Sequence, residues 1–135
     1  MSSLYSDDTL QYKDKVNNMV LAVSSAMELF PESFRKESIK LWGTEYVSWK
    51  TATTYDATQV ILEGLRKIQV EPNREALYNE LSAPDFSVEG ATGTVRFDAK
   101  HDRVPEKNKI GVLVQVKQKC KPEDQPRYRF CLIQE

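Results

Sequence analysis

"TATTYDATQVILEGLRKI", residues 51–68, decides the fold class, because it is the longest stretch of the chain with the apolar spacing of a helix. Gly64 lies inside this apolar stripe although glycine costs a helix about 1 kcal/mol relative to alanine. We therefore expect a neighbouring element to approach closely there. Asp56 lies near the start of the helix, where a carboxylate interacts well with exposed amides and the positive end of the helix dipole. The expected buried face consists of Ala57, Val60, Ile61, Gly64, Leu65 and Ile68.

A second helix is predicted within "FPESFRKESIKLWGT", residues 30–44. Pro31 is tolerated in a first helical turn, and Gly43 is placed where a helix would end. Its expected apolar face consists of Phe34, Leu41 and Trp42. The pattern predicts a short amphipathic helix before the long one.

A third helix is predicted within "EPNREALYNELSAP", residues 71–84. Asn73 is a suitable N-cap, and Pro84 follows the expected end of the helix. Leu77 and Leu81 form its apolar pair. This helix is short but has clear signals at both ends.

The remaining apolar segments are predicted to be strands. "VNNMVLAVS", residues 16–24, suits a buried strand, and from Phe86 onward the apolar period changes to two. "KIGVLVQVKQ" and "RYRFCLI" should pair as a hairpin across "KPEDQP". The expected inward-facing residues are Val95, Phe97, Ile110, Val112, Val114, Val116, Tyr128, Phe130 and Leu132.

These elements predict an α/β fold of three helices and a mixed sheet that ends in antiparallel strands, with an α+β unit as the alternative. The length of 135 residues fits a single domain, residues 1–135. A formal net charge of -1 gives no basic excess for binding nucleic acid. The chain also has no apolar run of the roughly 20 residues that a membrane span requires.

Cys120 and Cys131 flank the loop "KPEDQP" and would lie near each other across a hairpin. Partly buried free thiols are the commoner outcome and are our expectation, with a disulfide as the alternative. One histidine and no CxxC motif leave no plausible zinc site. We therefore expect no metal centre.

The sequence offers no convergent set of catalytic residues. His101 with Asp98 and Asp102 lies in "DAKHDR" between strands, where polar residues usually form a solvated turn. No G-x-S-x-G elbow surrounds a serine, and the glycines do not have the spacing of a phosphate-binding loop. We expect neither enzymatic activity nor a cofactor.

Two aromatic residues ahead of the long helix are better candidates for function. Tyr46 and Trp49 are amphipathic aromatics of the kind that line small-ligand pockets, although core packing is the commoner role of such residues. With Tyr55 at the start of the helix, they are our candidate ligand-binding residues.

From about Lys15 to Gln118, the chain resembles the C-terminal part of type I periplasmic binding proteins. These are the substrate-binding components of branched-chain amino acid ABC transporters and the related receptor ligand-binding regions. The residues that carry the resemblance are Tyr55-Asp56-Ala57 and Gly93 to Asp98, "GTVRFD", followed by a turn to Asp102-Arg103. Ala99 to His101 lacks a glycine that is often present before that aspartate.

The resemblance implies two α/β lobes that close on a ligand, with the loop around Tyr46 to Lys50 contributing a side-chain contact. A two-lobed receptor needs roughly 300 residues, so this chain would be one segment of it. The implied ligand is amino acid-like, the implied partners are the membrane subunits of an ABC transporter, and the implied location is periplasmic or extracytoplasmic.

The N-terminus shows no signal peptide, which would mean a cytoplasmic protein if Met1 is the natural start. The alternative function is a truncated α/β interaction module that forms a homodimer, or pairs with another chain, through exposed sheet edges.

Overall fold

The structure is a computed structural model that describes residues 4–105 and 111–133. The chain forms two compact units, Met1–Trp49 with Lys109–Glu135 and Lys50–Asn108. The prediction of a single domain over residues 1–135 stays a prediction.

The helices are α1 (Asp7–Leu10), α2 (Glu32–Trp42), α3 (Trp49–Lys67) and α4 (Arg74–Leu81), and the strands are β1 (Val20–Val23), β2 (Val88–Gly90), β3 (Gly93–Val95), β4 (Val112–Lys117) and β5 (Arg129–Leu132). Two short 3-10 helices lie at Lys13–Val16 and Met27–Leu29.

The first unit is built on a three-stranded antiparallel sheet in the order β1-β4-β5. Val114 and Val116 of the central strand are fully buried, as their alternation predicts. Phe130 of β5 lies opposite Val116 and is also buried, with its ring 4.3 Å from that of Tyr5. The predicted hairpin of the last two strands is confirmed. Of the other expected inward residues, Val112, Tyr128 and Leu132 are half-buried, and Ile110 lies outside the described residues.

A disulfide joins Cys120 to Cys131 in this unit. The expectation of free thiols is therefore wrong. The hairpin brings the two Cα atoms to 5.1 Å, within the range that a disulfide spans.

Helix α2 ends as predicted, with Gly43 in the left-handed conformation (φ 70°) and its N–H donated to the carbonyl of Ile39. The predicted apolar face is only partly right. Phe34 is buried, but Leu41 and Trp42 are 66% and 54% exposed. Among the described residues, the core covers only the first two turns of α2, so the apolar residues of its last turn remain at the surface.

The second unit packs α3, α4 and the β2–β3 hairpin around Val60, Phe86 and Val95. Val95 is 3% exposed, as predicted, and Phe97 is half-buried and packs against this core. Asn73 caps α4 as predicted, because its side-chain oxygen accepts the N–H of Ala76 at 2.9 Å.

Gly64 permits the predicted close approach of another element to α3. A Cβ atom at this position would lie 2.7 Å from Cδ1 of Leu77 and 3.0 Å from Cδ2 of Leu81. Both leucines belong to α4, so the missing side chain allows the two helices to pack against each other.

The predicted buried face of α3 is only partly right: Val60 and Gly64 are buried as expected. The buried residues repeat every fourth position, whereas Ile61 and Leu65 are 48% and 39% exposed and Ala57 is also exposed. Ala52 and Asp56 complete the packed face, and the hydrophobic pattern did not identify either of them. The buried residues are Ala52, Asp56, Val60 and Gly64.

Candidate functional site

Tyr46, the first predicted ligand-binding residue, lies in the loop between α2 and α3 of the first unit and is half-buried. Its hydroxyl donates to the carboxylate of Asp124, whose two oxygens lie 2.7 and 2.6 Å away. Its backbone N–H donates to the hydroxyl of Thr44 at 3.1 Å. The phenol is therefore fixed at both its backbone and its hydroxyl.

Asp124 organises the loop that the disulfide closes. One of its carboxylate oxygens accepts the N–H groups of Cys120 and Lys121 at 3.0 and 2.8 Å. The disulfide between Cys120 and Cys131 holds the two ends of the loop together. Asp124 thus links the loop to Tyr46, 78 positions away in the sequence.

Cations and a further carboxylate complete this arrangement. The guanidinium carbon of Arg129 lies 4.4 Å from the centroid of the Tyr46 ring, a cation–π contact. Glu45 accepts a hydrogen bond from Lys121 at 2.7 Å and forms an ion pair with Arg35, with 3.5 Å between the charged atoms. We call this set the Tyr46 cluster; its members are Arg35, Glu45, Tyr46, Lys121, Asp124 and Arg129.

The environment fixes the protonation states of the central pair. Burial, and then the hydrogen bond to Asp124, raise the pKa of Tyr46 well above its usual value. Burial alone would raise the pKa of Asp124, but the hydrogen bonds from Tyr46, Lys121 and Cys120 lower it below its usual range. At neutral pH the pair is a neutral phenol and a carboxylate, suited to hydrogen bonding and aromatic contact.

Trp49 and Tyr55, the other two predicted site residues, lie on α3. Trp49 opens the helix, is half-buried, and packs against the core of the first unit. Tyr55 belongs to the second unit and is 42% exposed. The contact between Trp49 and the core supports the packing role that its sequence context left open, while ligand binding by all three aromatics stays a prediction.

Asp56 has a structural role that differs from the predicted one. Because α3 begins at Trp49, Asp56 lies about two turns into the helix and not at its amino end. Its carboxylate accepts the N–H groups of Ala91 (2.5 Å) and Thr92 (3.3 Å), the Thr92 hydroxyl, and Nη1 of Arg103 (3.2 Å). The prediction that Asp56 interacts with exposed amides at the helix start is therefore wrong. Asp56 instead holds the turn between β2 and β3.

Gly90 is the counterpart of Asp56 in the hairpin. A Cβ atom there would lie 2.6 Å from Cγ of Asp56, so only glycine leaves room for the carboxylate. Asp56 is 2% exposed. A polar residue in register with Ala52, Val60 and Gly64 was the sequence signal that could have identified this buried position.

The segment around His101 forms the predicted solvated turn. Asp98 accepts the N–H groups of Lys100 and Asp102 at 2.8 and 3.0 Å, and His101 is exposed. The imidazole Nε2 lies 3.0 Å from the Tyr78 hydroxyl. In residues 4–105 and 111–133, no group of three or more His, Cys, Asp or Glu residues is placed to hold a metal ion.

No family model matches the chain, and neither does any curated protein. Solved structures do match. The leucine-, isoleucine-, valine-, threonine- and alanine-binding protein from Brucella ovis, in a closed conformation, aligns with 97% of this chain at 16% identity and a TM-score of 0.72. A solute-binding protein of an ABC transporter from Rhodopseudomonas palustris BisB5, in complex with 3,4-dihydroxybenzoic acid, aligns with 94% at 16% identity and a TM-score of 0.67.

The chain spans about a third of the length of these solved structures, 34% and 33% respectively. The predicted resemblance to type I periplasmic binding proteins is confirmed at the level of the fold, and the partial coverage fits a C-terminal portion. The α/β fold class is confirmed with it. Both neighbours are described as binding proteins. In the part of the chain that the structure describes, no helix has the length and apolar character needed to cross a bilayer.

Proposed function

We propose that the chain is the C-terminal segment of an ABC-transporter solute-binding protein and takes part in non-covalent recognition of an amino acid-like small molecule. The observation that carries this proposal is the fold agreement over 97% of the chain with a leucine-, isoleucine-, valine-, threonine- and alanine-binding protein. Because the chain spans 34% of that neighbour, the remainder of the fold would supply the other ligand contacts.

Tyr46, Trp49 and Tyr55 are the residues proposed to meet the ligand. Tyr46 is the best supported of them, because Asp124 and Arg129 fix its hydroxyl and its ring while the residue stays half-buried. A preorganised aromatic loses little conformational entropy when a ligand packs against it. The role requires neither a covalent step nor a cofactor.

The proposed location is outside the cytoplasm, with the membrane subunits of a transporter as partners. The disulfide between Cys120 and Cys131 supports this location, because disulfides persist in oxidising compartments and are rare in the cytosol. Mass spectrometry of protein recovered from its native host, with and without thiol alkylation, would test it. Recovery of two free thiols would contradict the proposed location.

Tryptophan fluorescence gives a direct test of ligand binding, because Trp42 and Trp49 are the only tryptophans in the chain. Trp42→Phe leaves Trp49 as the sole emitter, and Trp42 is 54% exposed, so the change should be tolerated. We expect leucine or 3,4-dihydroxybenzoate to shift the Trp49 emission saturably, and Tyr46→Ala to abolish the shift.

The reciprocal variant, Trp49→Phe, is the matched control and should show no ligand response. Unchanged Trp49 emission with every amino acid and aromatic acid up to millimolar concentration would contradict ligand contact by this segment. A shift that survives Tyr46→Ala would remove Tyr46 from the site.

The second candidate is an interaction module that pairs through a sheet edge, and the exposed edge strand β1 favours it. Among the strands that the structure describes, β1 and β5 are the two edges of the sheet. The edge at β5 is partly covered, because the Leu132 N–H donates to Glu28 at 3.0 Å. On β1, Val20 is 47% exposed. We therefore place the proposed pairing edge at β1.

Light scattering over a range of concentrations tests this second candidate. It predicts a dimer that Val20→Lys weakens, because charge on an edge strand opposes pairing. Val70→Lys is the matched control, since Val70 is 67% exposed and lies outside the strands. A monomer at every concentration, or equal weakening by both variants, would overturn pairing through β1.

A further inference from the structure

The first unit contains a cleft of about 450 Å³ that is separate from the Tyr46 cluster. It lies between the N-terminal segment around α1 and the loop that leads into β5. Its walls combine apolar surface from Leu10, Pro126 and Tyr128 with the charged groups of Lys13 and Arg127. We propose that this cleft binds a small organic anion that has one carboxylate and a compact apolar body.

The charges that line the cleft favour an anion. Lys13 and Arg127 contribute two positive charges, and Asp7 contributes one negative charge. In the described part of the chain, neither Lys13 nor Arg127 forms an ion pair, whereas Arg35, Lys121 and Arg103 all do. An arginine without a carboxylate partner can offer its forked donors to a ligand carboxylate.

Hydrogen bonds hold the walls of the cleft in place. The Tyr128 hydroxyl donates to Asp14 and accepts from Nε2 of Gln118 at 2.9 Å. The Arg127 N–H donates to the carbonyl of Gln118, also at 2.9 Å. These bonds join the segment that follows α1 to Gln118 and to the loop residues Arg127 and Tyr128, so the two walls of the cleft are connected.

Lys13 stands in an unusual backbone conformation at this wall. Its φ of 51° falls in the left-handed region, which a residue with a long side chain rarely occupies. Such conformations persist where the surroundings determine them, and they are concentrated at ligand-binding positions. The left-handed conformation of Lys13 is thus a second observation, beside the charges, that favours ligand binding at this cleft.

The size of the cleft sets the class of anion. Ligand pockets commonly measure about 300–1,000 Å³, and 450 Å³ is near the lower end. Leu10, which lines the cleft, also packs against the core of the unit and contributes apolar surface. A monocarboxylate with a single ring or a short branched chain fits both the volume and the lining.

Calorimetric titration with benzoate as the probe tests the proposal, with benzamide as its uncharged analogue. We expect saturable benzoate binding that Arg127→Gln weakens by about tenfold, equivalent to about 1.4 kcal/mol, and no measurable benzamide binding. Lys15→Gln is the matched charge control, because Lys15 lies in the same 3-10 helix as Lys13 but does not line the cleft. It should leave benzoate binding unchanged.

Leu10→Trp is a second variant that keeps both cations and fills the cleft, and it should abolish benzoate binding. Circular dichroism would establish that each variant is folded. Absent benzoate binding, equal binding of benzamide, or equal losses in Lys15→Gln and Arg127→Gln would overturn the proposal. Tyr46→Ala should leave benzoate binding intact, which separates this site from the ligand contact proposed for Tyr46.

Discussion

Asp56 in the second unit and Asp124 in the first have the same structural role, to hold a turn, but their surroundings differ. Each carboxylate accepts two backbone N–H groups of a turn. Asp56 is 2% exposed, and its remaining partners are the Thr92 hydroxyl and Arg103. Asp124 is half-buried, and its further partner is the phenol of Tyr46.

The difference separates a carboxylate that stabilises the fold from one that can also support a binding surface. The groups around Asp56 come from its own unit and enclose it, with Gly90 leaving room only for the carboxylate itself. Asp124 instead orients an aromatic residue that remains partly exposed. A hydrogen-bonded aspartate is therefore not by itself a sign of a binding site. The exposure of the residues that contact the aspartate is more informative about function.

Removing Asp56 should have the largest effect on stability. Asp56→Ala leaves the N–H groups of Ala91 and Thr92 without their acceptor, and hydrogen bonds to charged groups contribute about 1.5–3 kcal/mol each. We expect a loss of about 4 kcal/mol, measured by urea unfolding followed by circular dichroism. Asp85→Ala, an exposed aspartate on the same unit, should change stability by less than about 0.5 kcal/mol. A loss below about 1 kcal/mol for Asp56→Ala would contradict its structural role.

Opening the disulfide should have the next largest effect on stability, and it affects the loop that contains Asp124. Cys120 and Cys131 are 11 positions apart, and closing a loop of that length stabilises a fold by about 3 kcal/mol. Cys120→Ser combined with Cys131→Ser should lower the melting temperature, as should a reductant added to the unmodified chain. If the double variant melts at the temperature of the oxidised protein, the loop around Asp124 does not depend on the disulfide.

Gly90→Ala should destabilise by about 2 kcal/mol, because the new methyl group would displace a carboxylate held by several partners. Gly64→Ala is the matched substitution on α3. Its methyl group would meet the flexible ends of Leu77 and Leu81, and a gain in helix propensity of about 1 kcal/mol offsets that crowding. Urea unfolding of both variants should show a clear loss only for Gly90→Ala; equal losses would mean that Asp56 is free to move.

Tyr46→Phe should have the smallest effect, about 1 kcal/mol at neutral pH, since the lost hydrogen bond is half-buried. The pKa of Asp124 is lowered in the folded protein, so its contribution is present above the ordinary value of 3.8 and is lost as the pH falls through the folded value. The difference between Tyr46→Phe and the parent should therefore shrink in acid. Thermal unfolding at a series of pH values measures it, and a constant difference would contradict the pairing of Tyr46 with Asp124.

Local rules made most of the helices and strands predictable. The cap at Asn73, the stop at Gly43 and the close approach at Gly64 each depend on a few neighbouring residues, and the structure confirms all three. The alternation in β4 was equally reliable, because Val114 and Val116 belong to a central strand.

The remaining features depend on tertiary contacts, which no local sequence pattern specifies. The predicted face of α3 was right at Val60 and Gly64 and wrong at Ile61 and Leu65, because hydrophobicity alone does not show that Asp56 lies on the packed side. The candidate residue Tyr46 was recognisable as an aromatic before a helix, but its partner Asp124 is 78 positions away and no local pattern joins them.

The order of the two units along the chain has a consequence for biosynthesis. The second unit is one continuous stretch, Lys50–Asn108, whereas the first combines Met1–Trp49 with Lys109–Glu135. Chains emerge from the ribosome amino end first, at about 5–20 residues per second. The second unit can therefore complete its contacts before β4, the partner of β1, has been synthesised. The apolar residues of β1 thus stay accessible to chaperones for longer than any others in the sheet.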